Sequence, residues 1–177
     1  MSNNLAENLF IITTPSGAGK TTLIKNIIKF SEVNDEKVFM SISHTTRTPR
    51  ANELHASDYF FISEEEFKLN IDAGVYLEHA LVHGNLYGTP KKAIDDHLHD
   101  EHKVLLEIDW QGAMEILKAY PEAQSIFISP PSIEELDKRL RDRGLDSEEV
   151  IAKRVEGAKL EMEKSSEFKH QIINNSL

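Results

Sequence analysis

Thr14-Pro-Ser-Gly-Ala-Gly-Lys20-Thr21 lies between the apolar run Leu9-Phe-Ile-Ile-Thr13 and a helical pattern with Leu23, Ile24, Ile27 and Ile28 on one face. An unbroken apolar run suits a strand buried on both faces. Lys25 and Lys29 fall on the outer side of the helical pattern. A strand, a glycine-rich loop and a helix in that order constrain the fold more than any other feature of the chain. The segment matches the pattern G-x-x-x-x-G-K-[ST] except at its first position, where Thr14 replaces Gly.

The residue types fit an anion cradle. Gly17 and Gly19 let the backbone curl so that successive N–H groups point at phosphate oxygens. The helix beginning near Lys20 adds its positive end. Lys20 supplies a point charge for β- and γ-phosphates, and the Thr21 hydroxyl can ligate Mg²⁺. Thr14 is β-branched, so a negative φ is expected there. The loop implies ATP or GTP and names no reaction.

The rest of the chain is consistent with one α/β domain. Val104-Leu-Leu-Glu-Ile-Asp109 and Ser125-Ile-Phe-Ile-Ser129 are short apolar runs, each followed by a helical segment. Strands alternating with helices imply a mostly parallel sheet covered on both faces. Lys37 to Ser43 reads as a further strand, and Gln171-Ile-Ile-Asn-Asn-Ser-Leu177 as a candidate for the last one. Ser63-Glu-Glu-Glu66 and Ser132-Ile-Glu-Glu135 are capping boxes that open helices, the second running to about Arg141. The stretch from Ser147 to about Phe168 reads as a long, exposed, charged helix.

Charge and composition narrow the function. Asp plus Glu number 30 against 20 Lys plus Arg, a net charge of −10. Such a chain repels a phosphate backbone, so no nucleic-acid partner is expected. There are no cysteines, which excludes disulfides, thiolate metal sites and cysteine nucleophiles. No apolar stretch reaches the ~20 residues of a membrane span, and Met1 to Asn8 carries no basic leader. A cytoplasmic location without membrane association is expected, and a homo-oligomer stays open.

An acidic chain that binds anions must concentrate its positive charge. All six arginines fall in two groups. Arg47 and Arg50 lie in Ser43-His-Thr-Thr-Arg-Thr-Pro-Arg50; Arg139, Arg141, Arg143 and Arg154 lie in the second half. Arg grips phosphate with two prongs. The alternative for Arg139, Arg141 and Arg143 is a solvated helix face paired with Glu134, Glu135 and Asp137, and for Arg141 that reading is preferred. Glu78 can accept from the N1–H and N2 amine of guanine, or be a surface residue of an amphipathic strand. Ser43 and Thr89 can serve the O6/N7 edge. Asp109 ends an apolar run and is either a Mg²⁺-orienting acid or a turn residue. His97, His99 and His102 read as an exposed helix end rather than a metal site. Trp110 reads as a packing residue.

These motifs in order identify a resemblance. Pro15-Ser-Gly-Ala-Gly-Lys20, Ser43 to Arg50, Asp58-Tyr-Phe-Phe61, Leu77-Glu-His-Ala80, Gly84-Asn-Leu-Tyr-Gly88, Ile108-Asp-Trp-Gln-Gly112, Ile128-Ser-Pro-Pro131 and Arg139-Leu-Arg-Asp-Arg-Gly144 together resemble guanylate kinase of the bacterial type. The resemblance covers nearly the whole chain. It implies the reaction ATP + GMP → ADP + GDP, dGMP also being accepted. It implies a parallel-sheet P-loop NTPase core (about 1–38, 91–136 and 156–177), a GMP-binding insertion (about 39–90) and a helical lid (about 137–155).

By matched position, ATP is implied at Ser16, Gly17, Ala18, Gly19, Lys20, Thr21, Thr22 and Asn174, with Mg²⁺ at Thr21 and Asp109. Arg47, Arg50, Tyr59 and Tyr87 are implied to hold the GMP phosphate. Ser43, Glu78 and Thr89 are implied to read guanine, with Asp109 near the acceptor. Lys20, Arg47, Arg139, Arg143 and Arg154 are the implied catalytic set. Four departures stand out. Thr14 replaces a common Ala and Leu86 a usual Tyr. Glu107 replaces the first Asp of an Asp-Ile-Asp motif, which leaves its metal role open. The family continues past Asn174 into another helix, whereas this sequence stops at Leu177, so a bare flank is expected on the core. A guanylate-kinase-like scaffold domain without catalysis is the rival reading, and a kinase for another monophosphate such as AMP is a second. The intact Lys20-Thr21 pair and the lid arginines argue against the first; Glu78 with Ser43 and Thr89 argues against the second.

Overall fold

The computed structural model describes residues 5–15, 17–82, 84–144 and 146–175, with the side chain of Thr21 left aside. After a 3₁₀ turn at Leu5–Asn8, the expected apolar run forms β1 (Leu9–Thr13). The chain continues through α1 (Lys20–Val33), β2 (Val38–Met40), β3 (His44–Thr45), β4 (Phe60–Phe61), α2 (Glu64–Asp72), β5 (Tyr76–Val82) and β6 (Asn85–Pro90). It ends with α3 (Lys91–His99), β7 (Lys103–Glu107), α4 (Trp110–Ala119), β8 (Gln124–Ser129), α5 (Ile133–Asp142), α6 (Glu148–Glu163) and β9 (His170–Ile173).

Five strands form a parallel sheet in the order β2-β7-β1-β8-β9. β1 is central, which is why its sequence is apolar without alternation. Ile11 and Leu106 face Ile94 and Leu98 of α3 and Ala113 and Ile116 of α4. Ile12 and Leu105 face Ile24 of α1 on the other side. Each fully buried aliphatic side chain contributes ~1.5–3 kcal/mol, so the two faces together fix β1 firmly. Trp110 packs beside the larger of these clusters, as its reading as a packing residue required. The chain crosses from β7 to β8 over β1, so the order reverses at the carboxyl end of β1. Open parallel sheets bind ligands at such a reversal.

A second sheet has the order β4-β3-β6-β5. Lys37–Ser43 is not the single strand expected: the chain divides here between the two sheets. β2 ends at Met40 because its parallel partner β7 pairs only through Leu105. Ser41 N still donates to Leu105 O at 3.0 Å, and the chain then leaves to pair His44 and Thr45 with β6 in the other sheet.

Ser147–Phe168 is likewise not the single exposed helix expected. α6 stops at Glu163, and it buries Ile151 and Ala158 against Leu136 and Leu140 of α5. The capping serines behave as read: Ser63 Oγ accepts from Glu66 N at 3.1 Å and Ser132 Oγ from Glu135 N at 3.2 Å. Ile172 and Ile173 on the outermost strand and Phe30 and Val33 on α1 are exposed.

Candidate active site

The loop after β1 closes where the sheet order reverses. Thr13 Oγ1 donates to Ile108 O at 3.2 Å, tying the end of β1 to the segment after β7. Ala18 N donates to Pro15 O at 3.1 Å, and Gly17 and Gly19 take φ of 102° and 90°. Thr14 keeps a negative φ, as expected for a β-branched residue at the loop entry. Ser16 lies outside the described residues, as does the side chain of Thr21; Thr22 is exposed on the first turn of α1.

Gly17 also meets α5. A Cβ there would lie 2.8 Å from Leu136 Cδ1 and 3.0 Å from Leu140 Cδ2. Gly17→Ala combines left-handed strain with that clash, so a loss of about 1–3 kcal/mol is expected. Thermal melting checks it: an unchanged midpoint would mean that α5 does not rest on the loop.

Asn174 and Arg139 lock the other side of the loop. Asn174 Nδ2 donates to Ala18 O at 2.8 Å, and Asn174 N to Ser129 O at 2.8 Å. Arg139 is only 6% exposed. Its Nη2 donates to Asn174 O at 3.2 Å and its Nε to Glu135 Oε1 at 2.8 Å, while Nη1 is buried with no partner among the described residues. The solvated-face alternative therefore fails for Arg139. It holds for Arg141, which is bound to Asp137 and Glu148 at the surface. Arg143 is exposed at the end of α5, and Arg154 pairs with Asp146 Oδ2 at 3.0 Å.

Lys20 begins α1 and points at the end of β7, where its Nζ lies 2.9 Å from Glu107 Oε1. Burial pulls the ammonium pKa down, but Glu107, aided by Tyr59 and Glu161, outweighs this and raises it. Lys20 is thus a permanent cation at neutral pH. Burial pushes Glu161 of α6 up to about 7, with Lys20 acting against the rise and Asp109 adding to it. Asp109 caps α4, its Oδ1 accepting from Gln111 N at 2.7 Å and Gly112 N at 3.3 Å.

Glu107 is bonded to Lys20, Glu161 is within its electrostatic reach, and Asp109 neighbours Glu161, so the region offers hard oxygen donors of the kind that suit Mg²⁺. No group of three acidic or histidine side chains among the described residues can hold an ion by itself. At the far end of α3, His97 Nδ1 and His102 Nδ1 lie 2.8 Å apart. His97 stacks on Phe39 at 3.7 Å, so it is a packed side chain rather than an exposed one.

The second sheet supplies the other half. Glu78 and Thr89 are cross-strand partners on β5 and β6, and the Thr89 hydroxyl donates to Glu78 Oε1. Glu78 is 5% exposed, so the surface-residue alternative fails. Burial pushes its carboxyl up to about 7, the Thr89 bond opposing and Asp109 and Glu115 reinforcing the rise. Gly112 makes this possible: a Cβ there would stand 2.5 Å from Glu78 Oε2. Ser43 lies half-buried before β3, its carbonyl accepting from Phe60 N at 2.9 Å.

Arg47 Nε donates to Tyr87 Oη at 3.2 Å, and its guanidinium stands 5.5 Å from the Tyr59 ring centre. Burial raises the Tyr59 pKa, Lys20 opposing and Glu107 reinforcing. Tyr59 thus lies against Arg47 and within electrostatic reach of Lys20.

A family model described as Guanylate kinase matches residues 6–177. Guanylate kinase of Escherichia coli strain K12 is 50% identical over 167 residues, covering 94% of this chain and 80% of that protein. Guanylate kinase of Salmonella typhimurium strain LT2 matches with the same identity and coverage. A crystal structure of guanylate kinase from Anaplasma phagocytophilum superposes with a TM-score of 0.73 at 32% identity, covering 95% of this chain and 77% of that one.

The chain belongs to the guanylate kinase family. As a guanylate kinase it is a phosphotransferase on a P-loop core, and the cluster around Lys20 is its candidate active site. Sequence reasoning about this guanylate kinase missed Glu161 and Glu53. Glu161 is one of several acids on α6 and carries no spacing signal. Glu53 lies three residues after Arg50, a separation that hinted at a pairing.

Proposed function

We infer that this chain transfers the γ-phosphoryl group of ATP to GMP, and to dGMP, giving ADP and the nucleoside diphosphate. The observation that carries the reading is the meeting of the two sheets: buried Glu78 of β5, bonded to Thr89, packs against Gly112 of α4 just after Asp109, while Lys20 pairs with Glu107 at the end of β7. Residues 39–90 serve as the acceptor-binding segment and 137–155 as the lid over the core.

Phosphoryl transfer needs in-line positioning and charge stabilisation rather than covalent chemistry. Lys20 exchanges Glu107 for the β- and γ-phosphates of ATP, with the backbone N–H groups of 17–21 around them. Arg47, Arg50, Tyr59 and Tyr87 hold the GMP phosphate and aim its oxygen. Glu78, Ser43 and Thr89 read guanine, and Asn174 lies beside the adenine. Mg²⁺ bound with ATP supplies charge neutralisation, and Thr21 and Asp109 would hold it. Arg143 and Arg154 close over the transferring group, while Arg139 braces the loop. Closure excludes water and suppresses ATP hydrolysis. The cytoplasm, where these nucleotides are made and used, is the proposed location.

Arg143→Lys keeps the charge and loses the fork. Turnover should fall by ~10²-fold or more, since such arginines act mainly in the transition state. An effect confined to the GMP Michaelis constant would move Arg143 out of the catalytic role. The function itself is tested by coupled ADP release with GMP, dGMP, AMP, CMP and UMP as acceptors. GMP and dGMP should lead; a lead by AMP would select the other-monophosphate reading, and no acceptor-dependent release the scaffold reading.

A further inference from the structure

We propose that Glu53 is a positioning residue that sets Arg47 and Arg50 side by side for the acceptor phosphate, an inference that rests on the acceptor reading above. Glu53 Oε1 receives Arg47 Nη2 at 2.8 Å and Arg50 Nη1 at 3.4 Å, and Oε2 receives Arg50 N at 2.8 Å. The carboxylate therefore bridges both guanidiniums and the backbone between them. The Arg47 and Glu53 side chains are only 15% and 16% exposed, whereas Arg50 is 61% exposed. Arg47 is thus the cation that most needs a fixed partner. Two guanidiniums aimed at one spot repel each other, and a carboxylate between them lowers that repulsion while leaving the cluster net positive.

The geometry favours positioning over competition with the phosphate. Glu53 is locked into its own turn, since Glu53 N donates to Arg50 O at 3.0 Å while its side chain returns to Arg50 N. Arg47 has other supports: Nη1 donates to Thr48 O at 2.9 Å and Nε to Tyr87 Oη. A guanidinium carries five N–H donors, so Arg47 keeps donors for an incoming phosphate while Glu53 stays in place. Glu53 is a carboxylate at all working pH values: burial opposes this, but its bonds to Arg47 and Arg50 hold its pKa below the ordinary value.

The test is the sign of a binding change. Titrate GMP, and separately ATP, into the parent, Glu53→Gln and Glu53→Asp by calorimetry, with thermal melting alongside. A Gln amide offers one oxygen and sets its N–H₂ against an arginine donor. Glu53→Gln should weaken GMP by about tenfold or more and leave ATP affinity unchanged. Glu53→Asp keeps the charge on a shorter stem, so it should fall between the parent and the Gln variant. GMP binding equal to or tighter than the parent in Glu53→Gln overturns the positioning role, and tighter binding assigns Glu53 as a competitor of the phosphate. Equal losses for ATP and GMP also overturn it, as they mark a general structural role. If the parent itself binds no GMP, the acceptor reading fails and takes this inference with it.

Discussion

Lys20→Ala should lower turnover by about 10³-fold or more while the fold persists, because removal of a preorganised charge from a phosphoryl-transfer site costs at least this much. Lys20 lies outside the apolar clusters and starts α1 rather than bracing it. The ion pair it loses, with Glu107, is partly open to solvent at 29% and 22% exposure. A pair of that kind contributes at most ~1 kcal/mol to stability, so the melting midpoint should move by only a few degrees. The catalytic loss is larger because the same charge faces a phosphoryl group whose negative charge is spread over three oxygens in a water-excluded site. Turnover and melting should be measured on one preparation. Activity within about threefold of the parent, a barrier change of under ~1 kcal/mol, would remove Lys20 from the mechanism.

Glu78→Gln should separate activity from stability in opposite directions. Glu78 is proposed to accept from guanine N1–H and N2–H₂; in the Gln variant an amide donor faces those donors. A buried charged hydrogen bond is worth ~1.5–3 kcal/mol and an unsatisfied group adds to the loss, so GMP efficiency should fall by ~10²-fold or more. ATP affinity should hold. IMP keeps N1–H and lacks the N2 amine, so the parent should discriminate against it and the variant less. An unchanged GMP/IMP ratio would mean that Glu78 does not read the amine.

The stability of the ligand-free chain should move the other way. The Glu78 carboxyl titrates at about 7 in the folded chain against an ordinary 4.5. Between those values the folded chain holds a proton that the unfolded chain has shed, so stability falls as pH rises through this window. The full penalty, about 3 kcal/mol at ~1.4 kcal/mol per pH unit, stands above the upper value. Gln carries no such penalty. From pH ~5 to ~8 the melting difference should shift in favour of Glu78→Gln by about 5 °C or more. Glu161 also titrates at about 7 but is common to both chains, so it cancels in the comparison. A shift toward the parent would contradict the burial of Glu78 as a carboxylic acid.

What could be read from the sequence was local. β1, its loop and α1 follow from a continuous apolar run, two glycines and a lysine within thirteen residues, because backbone curl and anion chemistry act over that span. The capped helix starts are legible for the same reason. The split of Lys37–Ser43 between two sheets was not, since it depends on where β7 stops offering partners. The buried stripe of α6 was hidden because Ile151 and Ala158 are sparse among charges, and only α5 selects the face. Arg139 and Arg141 differ by two residues and diverge from buried to exposed on that same packing. Glu78 could be placed on a strand, but its burial depends on Gly112, more than thirty residues away, having no side chain.

The most direct measurement follows the phosphorus atom. ATP labelled in its γ-phosphoryl group should pass the label to GMP in the presence of Mg²⁺ and this chain. Labelled GDP and unlabelled ADP should form in equal amounts, with no enzyme-dependent release of labelled inorganic phosphate. Label appearing as inorganic phosphate while GMP stays unchanged, or label passing to AMP in preference to GMP, would contradict transfer from the Lys20 loop to a guanine nucleotide.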